Sequence, residues 1–570
     1  MRMIDKKIRE YLLPEKILAE SKTSDARCLL ENNTDQAYFG GDCGCTLAQG
    51  AYLLLDFGRE LSGGVKLICN ECSGNKNARL RIVFGESAME ALSNLGEKGS
   101  SNDHAVRDET LTVPWVGAVE FGNTGFRFVR IENKSDYAVS LRQVFAVFVH
   151  SDIVPTGTFR CSDERINRIW AVGAYTVFLN MQDYVYDGIK RDRVVWIGDM
   201  HPETSAILRL YGKDERVERS LELVRKNTPP TEWMNAIPSY SMWWIKIVYD
   251  YYLYTGDREF TGRQISYMCA VTERLIDCVH SDGSYCLGDK FIDWPSSDNP
   301  AAQEAGVRAL LFISIECAQR LWKEFPHEKG SGFSEKCECA LRALTHKRSD
   351  SGGNKQAAAL LCLAGLEDAF TVNRRLLSKE PLQGMSSFLG YYVLLTREKA
   401  GDMGGALELL RDFWGAMLDL GATTFWEDFS INWAKGARPI DSILSANEYD
   451  VHGDNGDYCY RGYRHSLCHG WAAGPVPFLS ECVLGIRVVE AGCKRIEISP
   501  RLGDLQWAEG SVPTPYGAVY IRHEKTLKGI KSVVRAPKEI VWTLTSINEE
   551  KNVASDIIEE KQPLPIETWR

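Results

Sequence analysis

The sequence predicts a multidomain protein with an all-α centre between two all-β ends, on three observations. Its 570 residues are more than one hydrophobic core normally supports. The apolar pattern alternates over about the first 150 residues, takes up a helical period from Ser162, and returns to strands after about Gly485. Hydrophobic residues at 44% and charged residues at 25% leave no bias toward disorder or a fibre, so every part is expected to fold. The expected domains are 1–155, 156–485 and 486–570.

In the first part, Ala78-Arg-Leu-Arg-Ile-Val-Phe and Phe126-Arg-Phe-Val-Arg-Ile nearly alternate, between turn-rich stretches such as Ser73-Gly-Asn-Lys-Asn. That pattern predicts an antiparallel β-sandwich. In the second part Asp163 and Glu164 favour a helix start, and Ile166, Ile169, Trp170, Gly173 and Val177 share one helical face. A loose module then recurs in Tyr211-Gly212-Lys-Asp214, Thr255-Gly256-Asp257, Ala364-Gly365-Leu-Glu367 and Ala400-Gly401-Asp402. Glycine supplies a left-handed C-cap and the acidic residue suits the positive end of the next helix dipole, so each module marks an αα-hairpin. Hairpins repeated over about 320 residues must stack their apolar faces, as an open solenoid or a closed ring, and the uneven spacing favours the ring. In the third part Arg487-Val-Val-Glu, Lys494-Arg-Ile-Glu-Ile and Ala518-Val-Tyr-Ile-Arg, with a turn at Pro513-Thr-Pro-Tyr-Gly517, predict a small C-terminal β-sandwich.

Charge narrows the partners. With 67 Lys and Arg against 77 Asp and Glu, the formal net charge of −10 disfavours a polyanion such as nucleic acid and suits a small neutral ligand. No stretch approaches the ~20 apolar residues of a membrane helix, and the N-terminal Met1-Arg-Met-Ile-Asp-Lys-Lys lacks the apolar core of a signal peptide. The 17 scattered cysteines suit reduced thiols, so a cytoplasmic protein, open to self-association as a homo-oligomer, is expected. Cys43-Gly-Cys45 and Cys69-Asn-Glu-Cys72 are spaced unlike common zinc sites. No phosphate loop, dinucleotide fingerprint or nucleophile elbow is present, and neither metal nor cofactor is expected.

Three segments of the helical part carry chemistry. Asp187-Gly-Ile-Lys-Arg191-Asp192-Arg-Val-Val-Trp196-Ile-Gly-Asp199 concentrates three carboxylates, three basic residues and a tryptophan, where a plain solvated helix start would rarely place Trp196 and Gly198. Glycoside hydrolysis needs one carboxylic acid to protonate the leaving oxygen and one carboxylate opposite, with pKa values set apart by their surroundings. Ala422-Thr-Thr-Phe-Trp426-Glu427-Asp428-Phe429 brackets acids with aromatic rings, which raise a carboxyl's pKa and can cover the apolar face of a sugar. Ser466-Leu-Cys-His469-Gly-Trp471 sets a histidine beside a tryptophan. Trp243-Trp244 and Phe291-Ile-Asp293-Trp294 read first as core, with Trp244, Asp293 and Trp294 kept as candidate sugar contacts beside Trp426 and Trp471.

In this order the three segments resemble glycoside hydrolase family 78, the α-L-rhamnosidases. That family shares a motif like Asp-Cys-Pro-x-Arg-(Asp)-Glu-Arg-x-Gly-Trp-x-Gly-Asp, a later Ala-Thr-Thr-x-Trp-Glu and a Ser-Leu-x-His, similar to Asp187–Asp199, Ala422–Glu427 and Ser466–His469. The resemblance implies a central (α/α)6 six-hairpin barrel flanked by an N-terminal β-sandwich and a small C-terminal β-sandwich. It also implies an inverting, exo-acting hydrolase for a terminal α-L-rhamnose or a similar sugar, with Asp192 as general acid and Glu427 as general base. Asp187, Arg191, Asp199 and His469 would hold the sugar, and Trp196 would line its pocket. The register that keeps Asp187, Trp196, Gly198 and Asp199 without an internal gap puts Asp192 where many relatives have Glu. A phosphorylase or uronyl hydrolase on the same barrel, or a silent sugar binder, are the alternative expectations.

Overall fold

The computed structural model describes residues 6–31, 36–38, 44–72, 76–325 and 332–545. Antiparallel strands up to His150 precede a long helical region, and strands return from Ile486. The N-terminal strands form one sheet built around the long strand Cys45–Cys72, which pairs with both Gly117–Asn133 and Val139–His150. Cys45 and Cys69 both pair with Leu141, so the strand must bend, and register shifts between Asp56 and Leu61 and between Gly63 and Val65 allow it. Alternation is clear in Ala78–Gly85, where Ala78, Leu80 and Ile82 are buried. The turn expected at Ser73 and the zinc reading's Cys43 lie outside the described residues, as does the side chain of Cys72. Cys45 is buried, and burial pushes its thiol up to about 12, which suits a core thiol.

The helical region starts as its sequence dictates. Asp163 caps the helix Glu164–Asn180 by accepting from the backbone N–H of Arg165 and Ile166, and Ile166, Ile169, Trp170, Gly173 and Val177 are all buried. The Gly-acid modules behave likewise: Gly212, Gly256, Gly365 and Gly401 are left-handed, and Asp214, Asp257 and Asp402 cap the helices that follow. In the third module the cap is Asp368 rather than Glu367, because the shorter side chain reaches the N–H of Thr371. The packing order runs from Met200–Leu210 to Pro238–Thr255, Pro300–Glu324, Lys355–Leu363, Gly390–Lys399 and Pro475–Phe478. The last of these packs again on the first. Among the described residues no helix is long and apolar enough to cross a membrane.

The C-terminal strands form two small sheets. One pairs Arg495–Ile498 antiparallel with Ile486–Glu490 and parallel with Val541–Leu544. The other joins Trp507–Thr514, Gly517–Thr526 and Gly529–Arg535 in antiparallel order, with Pro515 and Tyr516 at its first turn. Its fourth strand is Thr158–Cys161, inside the expected middle domain 156–485 but just before its helical period begins at Ser162. Four alternating residues are too few to stand out before the helix at Glu164, and only pairing with Ala508–Ser511 reveals them.

The N-terminal sheet grips the helical region through a buried ion cluster. Lys190 Nζ lies 2.9 Å from Glu90 and 3.2 Å from Glu86, and donates to the carbonyl of His465 at 2.8 Å. Arg107 lies 3.1 Å from Glu90 and donates to the carbonyl of Gly125 at 2.7 Å. Burial opposes charge on Glu90, yet Lys190 and Arg107 hold its carboxyl down at about 2. Glu86, Glu90 and His452 place ligand atoms within 4.8 Å of one another, but Lys190 already supplies the positive charge there. Removing one partner of a buried ion pair costs about 3–5 kcal/mol. Lys190→Met is therefore expected to destabilise the protein by about that amount, read as a lower midpoint in a urea titration.

Candidate active site

The segment 187–199 builds its own frame. The Asp187 N–H donates to the carbonyl of Val194 at 3.2 Å, and the Val194 N–H donates to Asp187 Oδ1 at 3.0 Å. This closes a loop whose tip carries Arg191 and Asp192. Asp192 and Arg193 both have left-handed backbones, with φ of 53° and 58°, a strained choice for non-glycine residues that turns the tip sharply. The other two segments dock on this loop: the Gly470 N–H donates to the Asp187 carbonyl at 2.8 Å, and the His469 N–H donates to the Phe425 carbonyl at 3.0 Å. The Glu427 N–H donates to the Ser466 carbonyl at 3.0 Å.

The three sequence motifs meet in one buried cluster. His469 Nε2 stands 3.7 Å from Glu427, and 3.9 Å from both Asp187 and Asp199. These gaps exceed direct hydrogen bonds, so the imidazole consumes none of the three carboxyl groups. Arg191 Nη2 pairs with Glu427 Oε1, and the Ser466 N–H donates to Oε2 at 3.2 Å. Tyr240 donates its hydroxyl to Asp199 at 2.8 Å. Asp192 sits nearer the surface, its Oδ2 accepting from the Trp196 indole at 3.0 Å and its Oδ1 lying 3.2 Å from His104 Nδ1.

Environment sorts these carboxyl groups. Burial drives Asp199 up to about 8 despite the Tyr240 hydrogen bond and its place at a helix start. Burial, with Asp199 and Asp192 nearby, pushes Asp187 well above the usual carboxylate range. Burial also raises Glu427, but Arg191 and the Ser466 N–H oppose it. His469 is held well below the usual imidazole value by burial and by Arg191, so its ring is neutral at pH 7. The site therefore presents neutral hydroxyl-like carboxyls around one carboxylate that retains a cation partner.

An aromatic wall borders the cluster. Trp196 meets Tyr240 edge-on at 6.0 Å, Tyr240 meets Phe291 at 6.2 Å, and Phe291 meets Trp294 at 5.1 Å. Trp294 stacks on Tyr458 at 5.5 Å, and Arg191 lies over Tyr460 at 5.6 Å. Trp471 stacks on Phe388 and donates to the Glu427 carbonyl at 2.8 Å, so it orients the backbone of Glu427. Trp426 is buried against Phe429. Asp293 is the buried cap of a helical turn, accepting from the Ser296 N–H at 3.1 Å and from Ser386 at 3.2 Å, and burial lifts it to about 6.

One sequence expectation is corrected. Trp244 is fully buried, donates to the Leu221 carbonyl at 3.2 Å and packs edge-on against Tyr267, so it belongs to the core. Its helix turns Tyr240, one turn earlier, toward Asp199 instead. Sequence reasoning missed Tyr240 and Glu203. Glu203 follows Asp199 by four residues on the helix Met200–Leu210, a spacing that could have flagged it. It is buried, and burial together with Asp199 and Asp187 raises its carboxyl well above the usual range.

Comparison with known proteins points to the α-L-rhamnosidases. A family model described as the bacterial α-L-rhamnosidase six-hairpin glycosidase domain matches residues 155–315, and one described as the bacterial α-L-rhamnosidase C-terminal domain matches residues 485–556. In these two parts the chain resembles the α-L-rhamnosidases of glycoside hydrolase family 78. An α-L-rhamnosidase of Alteromonas sp. (strain LOR) is 23% identical over 547 residues, covering 86% of this chain. One of Formosa agariphila is 24% identical over 188 residues, or 32% of this chain. The chain spans 55% and 19% of the lengths of those two curated relatives. Among solved structures, the family 78 rhamnosidase of Bacillus sp. GL1 shares the fold with a TM-score of 0.72 at 21% identity, covering 91% of this chain and 55% of its own. The rhamnosidase of Klebsiella oxytoca, solved with rhamnose bound, has a TM-score of 0.67 at 19% identity, covering 83% of this chain and 96% of its own.

The raised Asp199 makes a pH prediction. A carboxyl whose folded pKa lies above its unfolded value of about 3.9 binds more protons when folded, so stability falls as pH rises between the two values. That window runs from about 4 to about 8 for Asp199. Asp199→Asn is expected to flatten the decline of Tm across it, measured by thermal unfolding at several pH values.

Proposed function

We propose that this protein is an inverting, exo-acting glycoside hydrolase that removes a terminal α-L-rhamnose, or a similar deoxysugar, from a small glycoside or oligosaccharide. Asp192 is the general acid and Glu427 the general base, with Asp187, Asp199 and His469 holding sugar hydroxyls. The observation that carries this reading is the convergence of Asp187, Asp199, Glu427 and His469 from three distant segments, with Asp192 near enough to raise the proton affinity of Glu427. Burial with one cation partner suits Glu427 to take a proton from water, because its raised affinity for protons sharpens the base while Arg191 keeps it ionised. Asp192, nearer the surface and hydrogen-bonded to Trp196, would deliver a proton to the departing oxygen. The likeness of the chain to α-L-rhamnosidases supports the choice of sugar.

The cyclic packing order supports reading the helical region as an (α/α)6 six-hairpin barrel with β-sandwiches on either side. A cytoplasmic location is proposed from the scatter of cysteines, those described being free thiols.

Aryl α-L-rhamnosides are expected to be cleaved with β-L-rhamnose as the first product, read by proton NMR. Asp192→Asn and Glu427→Gln should each lower kcat by about 10²–10⁴-fold. Phosphate-dependent turnover would instead assign a phosphorylase. Arg191→Gln removes the strongest charge that holds Glu427 ionised, so the acidic limb of the pH profile should move to higher pH.

A further inference from the structure

The N-terminal sheet contributes a side chain to the reacting end of the site. Asn102 anchors the loop that enters the strand Asp108–Val113, accepting from the N–H groups of Arg107 and Asp108 at 2.8 and 3.1 Å and donating to the Asp108 carbonyl at 2.9 Å. This loop carries His104 to Asp192 across the boundary between the sheet and the helical region. A cleft lined by Asp103, His104, Lys190, Arg191 and Arg464 runs beside the contact.

The partners of the ring assign its proton. Arg464 Nη2 lies 3.1 Å from His104 Nε2, and a guanidinium nitrogen can only donate. Nε2 of the neutral ring is therefore the acceptor, and the single N–H is on Nδ1, which faces Asp192 Oδ1 at 3.2 Å. Arg464 is itself held by Asp103, its Nε donating to Oδ2 at 2.9 Å. Asp103 Oδ2 also stands 3.4 Å from His104 Nε2. Both oxygens of Asp192 are thus held, one by an indole N–H and one by an imidazole N–H.

We propose that His104 is a positioning residue for Asp192, fixing the carboxyl from the N-terminal sheet so that the short acid points at the leaving oxygen. The need for it follows from the chain: aspartate reaches one methylene less than glutamate, and it sits on a left-handed turn at a loop tip where the Trp196 indole holds only one of its oxygens. The inference rests on Asp192 being the acid.

The test compares two rhamnosides, one with a poor leaving group, such as an alkylphenol, and one with dinitrophenol, which departs without a proton. His104→Ala is expected to lower kcat about 10–100-fold on the first, with KM little changed, and hardly at all on the second. His104→Asn, whose amide N–H stands where Nδ1 does, should restore much of the loss. Equal losses on both substrates, or none on either, would overturn the proposal. Asp192→Asn on the same pair separates the two readings: if it shows no dependence on leaving group, Asp192 is not the acid, whereas dependence there but not in His104→Ala removes only the role of His104. A measurement independent of turnover uses nitrogen-15-labelled histidine, assigned against His104→Ala. The proposal expects the Nδ1–H form of the neutral ring, disturbed in Asp192→Asn, and the Nε2–H form in the unmodified protein would refute it.

Discussion

Lys190 is the constraint on which the rest of the site depends. It is buried between Glu86 and Glu90 of the N-terminal part, and it belongs to the same short loop as Asp187, Arg191 and Asp192. Two buried carboxyl groups and a buried ammonium are each costly to desolvate, and their mutual proximity, with Arg107 beside Glu90, offsets that cost. The loop therefore cannot leave the sheet without taking from the buried Glu86 and Glu90 the cation they share. Glu86 uses its remaining capacity on the third motif, accepting from the Leu467 N–H at 2.6 Å and from the Ser466 hydroxyl at 3.3 Å.

Around this anchor the N-terminal sheet holds all three motif segments. The Gly125 N–H donates to the Ile189 carbonyl at 2.8 Å, the Glu60 N–H donates to the Thr423 hydroxyl at 2.9 Å, and Arg127 donates to the Gly421 carbonyl at 3.1 Å. Leu179, Ile189 and Cys468 from the helical region also pack into the sheet's own core. The N-terminal part is thereby a structural element of the site rather than an appendage, which is why one of its loops can reach Asp192.

Burial and charge then divide the carboxyl groups by their affinity for a proton. Asp187, Asp199 and Glu203 lie together with no cation paired to them among the described residues, and burial outweighs the pull of Arg191 on Asp199, so the protonated form is favoured. Glu427, equally buried, differs because Arg191 pairs with it and the Ser466 N–H hydrogen-bonds to it. The same kind of side chain thus favours its protonated form in one place and keeps a cation partner in another, by its neighbours alone.

The linear pattern carried much of the architecture. The change from alternation to helical period, the Gly-acid modules and the three motifs were legible because each depends on neighbours within a few residues: capping, dipole and face periodicity are local. Asp187, Asp199, Glu427 and His469 could be nominated from their motifs, and Trp244 was nominated in error because an aromatic pair on a helix does not reveal which ring faces the core. Tertiary structure alone decided that Tyr240 faces Asp199, that Thr158–Cys161 completes a distant sheet, and that Glu86 and His104 reach the site from a separate part of the chain. These contacts join residues tens to hundreds of positions apart, and a nearest-neighbour pattern holds no trace of a partner that only folding brings within 3 Å.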